Sequence, residues 1–370
     1  MWHSFRILFL SFLLWEMAAD LRAQSPSPAS TPSVTAKPSS PAPAPSPSGS
    51  PKTEDLINSL GPADVQAAIS LLKANFTKPD AINETELNRA TLQGLLVRLG
   101  PGLLLLPDKA SLPPEMPAPF YGEILEGHVG YLRPGSLNSA NLQAMDKKLT
   151  EFTGKKVDAL VIDLRSSSGT DFTTAADFTK RFVPKGKMLF SLRKPGKQDR
   201  VFNSDRDPTY QGLIVLLGDS DTAGGAEAFA AALRSYSKAL LIGQASAGRA
   251  AEYSDLPLPS GKILRVAVSE AVSPDAHALY PEGVKPDLPV EMSLVDKRQI
   301  FQLSAEKGLA PFVFETERPH LNEAALIAGT NPELESSEQR RGRLPDRYPR
   351  DAVLQRALDL VTSLEVYQKR

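Results

Sequence analysis

The stretch VDALVIDL, residues 157–164, is apolar at six of its eight positions and decides the fold class of this chain. Short apolar runs of this kind are typical of strands buried on both faces, in a sheet that helices cover. A second such run, residues 213–217, leads into a helix of small residues at 223–233. Amphipathic patterns predict further helices at residues 141–152 and 173–182. Strands that alternate with helices predict an α/β core.

The sequence on either side of these runs divides the folded chain into three parts. Residues 53–119 are expected to form a helical N-terminal segment that ends in a proline-rich loop. Residues 120–293 are expected to form a mixed-sheet core flanked by helices, and residues 294–370 a C-terminal helical extension with a polar loop at 331–350. The additional strands predicted for the core lie at residues 127–133, 188–192, 200–202, 239–242, 254–257 and 263–269 and at residue 290.

The first 52 residues are expected to lie outside the folded part. Residues 1–23 carry Arg6, an apolar run at 7–15 and a small residue, Ala23, at the end, which is the pattern of a secretory signal peptide. An uncleaved membrane anchor is the alternative. Residues 24–52 hold nine prolines and predict a disordered Pro/Ser-rich linker, or else a proline-rich ligand for a partner. We therefore expect an exported protein, periplasmic or extracellular, in a bacterial envelope and with no membrane span once the leader is removed.

The composition disfavours several classes of function. The chain has 370 residues, with 42 basic and 43 acidic side chains and a net charge of −1, which argues against a nucleic-acid partner. It has no cysteine, so disulfides, thiolate metal sites and a cysteine nucleophile are excluded. The four histidines show no metal-binding spacing. We therefore expect no metal and no other cofactor.

Several motifs, taken in order, resemble one known family. They are GYL at residues 130–132, VIDLR at 161–165, the stretch 216–233, the dipeptide 242–243 and PEGVKPD at 281–287. Over residues 83–290 the chain resembles the C-terminal (tail-specific) processing proteases of peptidase family S41. The resemblance implies an S41 protease-like core with a serine nucleophile and a lysine general base. The roughly 20 residues between Leu106 and His128 leave no room for the PDZ domain common in that family, which captures a substrate C-terminus.

The resemblance puts a glycine and an arginine at the two catalytic positions. In the family the serine precedes a glutamate by three positions in a small-residue turn, and here that turn is GDSDTAGGAE, residues 218–227. Alignment on Glu227 puts Gly224 at the serine position and Arg249, 25 residues later, at the lysine position. Glycine has no side chain that could attack a carbonyl, and arginine does not lose its proton in a protein. We therefore expect a serine-type peptidase fold that is a pseudoenzyme, without protease activity.

The residues around these two positions allow more than one interpretation. Ser220 and Thr222 are either displaced nucleophiles or ordinary turn and cap residues. Arg249 either binds a carboxylate or phosphate with its planar guanidinium or pairs with Glu227 or Asp219. The resemblance makes Gly169 and Gly225 further binding residues, because the family holds the oxyanion with backbone N–H groups there.

Two other side chains are candidates for a role in the site. His277 lies in a loop that flanks the family's site, and a pair between His277 and Ser220 is one hypothesis. Asp163 ends the central strand beside Arg165. It is either an acid–base group or the partner of Arg165 in an ion pair that orders the loop.

Three functions follow as hypotheses. The first is an exported, inactive relative of tail-specific proteases that binds a peptide or protein, with an active relative as one partner. The second is an active serine-type endopeptidase whose nucleophile has moved to Ser220 or Thr222. The third is a structural envelope module tethered by its proline-rich arm. The oligomeric state and the ligand do not follow from the sequence.

Overall fold

The computed structural model describes residues 53–108, 117–314 and 348–368. The predictions for the leader, for the linker and for most of the polar loop at 331–350 lie outside these residues. The chain divides into two compact units, Met1–Phe76 and Thr77–Arg370. The described part of the first unit holds helices α1 (Thr53–Ser59) and α2 (Pro62–Asn75), and all remaining elements belong to the second. Among the described residues, no helix is long and apolar enough to cross a membrane.

The second unit contains seven described helices and thirteen strands. The helices are α3 (Glu84–Leu99), α4 (Ser139–Gly154), α5 (Phe172–Thr179), α6 (Gly225–Ser237), α7 (Leu294–Lys307), α8 (Ala310–Val313) and α9 (Ala352–Gln368). The strands are β1 (Leu103–Leu106), β2 (Tyr121–Leu125), β3 (Val129–Arg133), β4 (Ala159–Asp163), β5 (Ser168–Gly169), β6 (Met188–Arg193), β7 (Arg200–Asn203), β8 (Leu213–Gly218), β9 (Ala223–Gly224), β10 (Leu240–Gly243), β11 (Ala251–Pro257), β12 (Ile263–Val272) and β13 (Leu288–Pro289).

The central sheet has six strands in the order β13-β10-β8-β4-β3-β2. Its strands are parallel except for β2, which pairs with β3 in the antiparallel sense. The apolar run at 157–164 forms the middle strand β4, as the sequence predicts. The sheet is therefore mixed and flanked by helices, which confirms the α/β fold class.

Helices cover both faces of the central sheet, which explains why its strands are apolar on both sides. Along β4, Leu160 and Ile162 pack into one hydrophobic cluster, with residues of α4, α5 and α6. Ala159 and Val161 pack into the other, with residues of α7, α8 and α9. The C-terminal helices thus bury a whole face of the sheet.

A second sheet lies outside the central one. Strands β1, β12, β6 and β7 pair in that order, and β11 pairs with β12 along most of its length. All of these pairings are antiparallel. The segment 53–119, expected to be helical, contributes the edge strand β1 to this sheet, with Leu103 opposite Val266. Four consecutive leucines after a Gly-Pro-Gly turn suit a strand here, because β12 supplies backbone partners that the local sequence does not reveal.

The two segments that form the candidate site leave the central sheet at the same edge. Strands β4 and β8 are parallel neighbours, with Asp163 opposite Leu217. Because the carboxyl ends of parallel strands meet at the same edge, the loop 164–171 and the turn 218–224 begin side by side. Both lead into helices, α5 and α6. The small-residue helix predicted from 223 begins at Gly225, because Ala223 and Gly224 pair with β5 instead.

Candidate functional site

Gly224 stands at the junction of β9 and α6, in a conformation that suits glycine. Its dihedral angles are φ 62° and ψ −122°, in a region where residues with a Cβ are strained. A strained strand-to-helix turn of this kind is where some serine hydrolases hold their nucleophile. The backbone of position 224 thus has the shape of a nucleophile turn, while the residue present has no nucleophile.

The space that a side chain at position 224 would need is filled by backbone atoms of Gly169. Strands β5 and β9 pair in parallel, with Gly169 opposite Gly224. A Cβ at position 224 would lie far inside van der Waals contact with the carbonyl oxygen of Gly169. Gly225 is equally confined, because a Cβ there would come within 2.7 Å of the Cβ of Ala175. The structure therefore brings Gly169, Gly224 and Gly225 together but closes the space between them.

Glu227 joins the two family positions through one carboxylate. Its side chain is fully buried and accepts hydrogen bonds from the backbone N–H groups of Gly224 at 2.9 Å and Arg249 at 2.8 Å. It also accepts the N–H of Gly248 at 2.7 Å and the hydroxyl of Ser246 at 2.6 Å. Burial raises the pKa of Glu227, and these four hydrogen bonds oppose the rise. Positions 224 and 249, 25 residues apart in sequence, are thus fixed against each other.

The residue Arg249 is exposed, and only its backbone N–H takes part in this network. Asp219 pairs with Lys297 instead, and Glu227 receives only the backbone N–H of Arg249. Within the described part of the chain the guanidinium makes no ion pair. The structure therefore contradicts the pairing of Arg249 with Glu227 or Asp219. Arg249 also lies near Tyr253, where its charge opposes the rise in pKa that burial of that tyrosine causes.

The two hydroxyls proposed as displaced nucleophiles differ in their surroundings. Thr222 is buried, and its hydroxyl donates to the carbonyl of Leu164 at 2.8 Å and accepts from the N–H of Asp219 at 3.1 Å. These bonds hold the turn against the end of β4, as expected of an ordinary turn residue. Ser220 is exposed in the same turn, and its hydroxyl has no hydrogen-bond partner among the described residues.

His277 does not meet Ser220. It lines a cavity of about 570 Å³ near the C-terminal end of α6, together with Ser235 and Asp275. Ser220 lies in the turn that precedes the other end of that helix. The structure thus contradicts the proposed pair between His277 and Ser220.

Two buried ion clusters hold the loops of this site. Arg165, only 1% exposed, pairs with Asp163, so the structural alternative for Asp163 is confirmed. The second partner of Arg165 is Asp351, at the start of α9, which the sequence analysis missed. Lys297 of α7 likewise pairs with Asp219 and Asp221. Separations of 76 to 186 residues give no local signal for these contacts.

The site offers space for a ligand beside Gly169 but no metal ligands. A cavity of about 480 Å³ opens there, lined by residues that include Ser136, Ser168 and Thr170. Across the described ranges, no group of histidine, aspartate or glutamate side chains could hold a metal ion. A ligand in this cavity would meet backbone, hydroxyl groups, the amide of Asn138 and the carboxylate of Asp171, whereas Arg249 is not among the lining residues.

Comparisons with known proteins show a match to one family model and to several distant relatives. Residues 128–290 match the family model described as peptidase family S41. The chain is 23% identical over 240 residues to the carboxyl-terminal-processing protease of Synechocystis sp., covering 65% of this chain and 51% of that protein. It is 23% identical over 244 residues to the carboxy-terminal processing protease CtpA of Bacillus subtilis, covering 66% and 49%. The chain thus spans about half the length of these curated relatives. A solved structure of a putative peptidase from Parabacteroides merdae aligns with a TM-score of 0.49 at 14% identity, over 65% of this chain and 85% of that one.

Proposed function

We propose that the protein is an exported pseudoenzyme of peptidase family S41 that binds a peptide or protein, since residues 128–290 match the model of that family. Its ligand surface is the region of Gly224 and Arg249. The single observation that carries the proposal is the combination of a glycine at position 224 with the Gly169 carbonyl in the space a side chain would need.

The loss of catalysis follows from the chemistry of the two positions. Serine hydrolysis needs a hydroxyl nucleophile and a group that accepts its proton. Gly224 offers no hydroxyl, and a guanidinium such as that of Arg249 is a hydrogen-bond donor with no acceptor for the proton. Thr222 is engaged by Leu164 and Asp219, and no base contacts Ser220 within the described residues. Removal of the nucleophile alone lowers turnover by about 10⁶ in a related serine mechanism.

Retention of the surrounding scaffold supports a binding role. Glu227 keeps four hydrogen bonds that fix the turns of positions 224 and 249, although neither turn has chemistry left to position. Arg249 then presents an exposed cation that has no partner in the described chain. A planar guanidinium binds a carboxylate through two parallel hydrogen bonds. A free peptide C-terminus is the ligand group that we assign to it.

The proposal also includes a cellular location and a partner. The pattern of residues 1–23 supports secretion to the periplasm or the cell exterior, with residues 24–52 as a tether. An active relative in the same compartment is the partner we favour. A purely structural envelope module is the remaining alternative, and it would bind no peptide.

Fluorescence anisotropy with labelled random decapeptides tests the binding role. Each peptide is used with a free C-terminal carboxylate and with an amidated C-terminus. We expect the free acids to bind about tenfold more tightly, and Arg249→Gln to abolish that preference. Arg298→Gln, which removes another exposed arginine, is the matched control and should keep it. Equal binding of acids and amides would overturn the role of Arg249, and no binding at all would favour the structural module.

A further inference from the structure

We propose that helix α9 is a latch on the site: through the buried Asp351–Arg165 ion pair it holds the loop 164–171 against Gly224, and its release opens the space at that position. The inference rests on the proposed function only in treating that space as a ligand site. It concerns a part of the chain, the C-terminal helix, that lies outside the residues matched by the family model.

The ion pair is a tight, fully buried cluster. The guanidinium of Arg165 bonds both oxygens of Asp351, at 2.8 and 2.7 Å, and both oxygens of Asp163, at 2.9 and 2.6 Å. Both carboxylates are fully buried, and the hydroxyl of Tyr131 donates to Asp163 at 2.6 Å. Removal of one partner from such a cluster leaves a buried charge unpaired, which is strongly unfavourable. The cluster therefore forms or breaks as a unit.

Asp351 connects this cluster to α9 as a whole. One of its carboxylate oxygens accepts the N–H of Leu354 at 2.9 Å, which caps the first turn of the helix. Its backbone N–H donates to the carbonyl of Phe312 at 2.9 Å. Movement of Asp351 away from Arg165 would thus disturb both the helix start and its contact with α8.

The loop that follows Arg165 leads directly to Gly224. Ser167 donates its N–H to Leu164 at 2.8 Å and accepts the N–H of Ala223 at 3.0 Å. Gly169, two residues on, then lies opposite Gly224. Any ligand atom that enters at position 224 must displace the Gly169 carbonyl, and the displacement acts on Arg165 through the three residues 166–168.

The loop 164–171 buries one polar group unfavourably when it lies against Gly224, as we expect of a loop that has a second, open conformation. The hydroxyl of Ser167 is buried and has no hydrogen-bond partner among the described residues. A buried polar group without a partner is unfavourable, so the closed loop is held by contacts elsewhere. The turn before Gly224 has a further anchor, because Lys297 of α7 holds Asp219 and, at 2.7 Å, Asp221 there. The loop 164–171 accepts hydrogen bonds from this turn at the carbonyls of Leu164 and Ser167, so the latch requires the loop to part from the turn when it opens.

If α9 holds the loop 164–171 closed, then ligand binding at position 224 and docking of α9 must change each other's equilibrium by the same factor. A ligand that favours the open loop weakens the docking of α9, and release of α9 strengthens binding of that ligand by the same factor. A serine introduced at position 224 needs the space that the Gly169 carbonyl fills, so its side chain favours the open loop in place of a ligand. The latch can therefore be tested without any ligand.

Urea unfolding of four proteins measures the coupling: wild type, Gly224→Ser, Asp351→Asn and the double variant. We expect Gly224→Ser to lower the unfolding midpoint clearly in the wild-type background and by less than half as much beside Asp351→Asn. The control is Asp146→Asn, which removes the ion pair with Arg181 beyond the far end of α5. Beside that control, Gly224→Ser should keep its full effect. Equal effects in all backgrounds would overturn the latch.

Hydrogen exchange of Gly224→Ser alone gives a second test, which stands even if Asp351→Asn does not fold. We expect faster exchange at residues 166–170 and also in the first turn of α9, residues 353–356, with α4 unchanged. Faster exchange in the loop alone would contradict the coupling. Since neither experiment uses a peptide or measures hydrolysis, failure of the latch is distinguishable from failure of the proposed function.

Discussion

The carbonyl oxygen of Gly169 occupies the place where a side chain at Gly224 would begin. The two residues face each other across the short pair of strands β5 and β9. Position 224 thus differs from a serine hydrolase site in two respects, since both the nucleophile and the space for it are missing. A serine restored by mutation would have to move the loop before it could act.

Substitution of Gly224 by serine should destabilise the protein by about 1–3 kcal/mol, since φ is 62° and the Gly169 carbonyl must move. Urea unfolding monitored by circular dichroism measures the cost. The matched control is Gly94→Ser in α3, where a Cβ would meet no atom within 4 Å. That change should be neutral or slightly stabilising, because serine favours a helix interior more than glycine does. Equal effects of the two substitutions would contradict the closed site.

Replacement of Glu227 by glutamine should cost about 1–3 kcal/mol, because an amide cannot accept all four hydrogen bonds that the carboxylate accepts. Burial raises the pKa of Glu227 above its usual value. Such a group contributes stability that is present below its unfolded pKa, about 4.3, and lost as the pH rises through its folded pKa. The advantage of wild type over Glu227→Gln should therefore grow as the pH falls from about 7 to about 4. Unfolding midpoints across that range test the sign, and a constant difference would contradict it.

Asp351→Asn should show the opposite pH dependence. Burial alone would raise the pKa of Asp351, but the charge and hydrogen bonds of Arg165 and the N–H groups of α9 lower it overall. A carboxyl of this kind contributes stability that is present above its unfolded pKa, about 3.9, and lost as the pH falls through its folded pKa. Wild type and Asp351→Asn should therefore converge in stability as the pH drops below about 4. A gap that widens with acid would show that the ion pair is not what Asp351 contributes.

Thr222→Val should lower stability by about 1 kcal/mol through loss of its bonds to Leu164 and Asp219. Neither wild type nor this variant should react with a serine-directed fluorophosphonate, because no activated hydroxyl exists in the turn. Ser220→Ala should be neutral in stability, since that side chain is exposed and unbonded among the described residues. Labelling of wild type that disappears in either variant would restore the displaced nucleophile as the better interpretation.

The sequence predicted the core because its signals are local. The apolar runs at 157–164 and 213–217 are recognisable from composition alone, and both lie in the middle of the central sheet. The strand β1 was missed because its four leucines resemble a helix end until β12 provides partners about 160 residues away. Helix α6 begins two residues later than expected, because pairing of Gly224 with Gly169 competes with the helix.

The candidate site was predictable in its positions but not in its contacts. Alignment on Glu227 identifies positions 224 and 249 from the sequence. In the structure, the Glu227 carboxylate accepts the backbone N–H groups of both residues. The closure by Gly169 and the partner Asp351 depend on tertiary contacts with no sequence signal. The pair between Asp163 and Arg165 was recognisable because the two residues are neighbours after a strand.

Hydrolysis of an unfolded protein tests directly whether this chain lacks protease activity. Purified wild type would be compared with a Gly224→Ser, Arg249→Lys double variant and a Ser220→Ala, Thr222→Ala double variant, with reduced and alkylated lysozyme as substrate. We expect no cleavage by wild type or by the second variant, and cleavage by the first only if its serine displaces the Gly169 carbonyl. Cleavage by wild type that is lost in the Ser220→Ala, Thr222→Ala variant would contradict the claim that this chain is a pseudoenzyme.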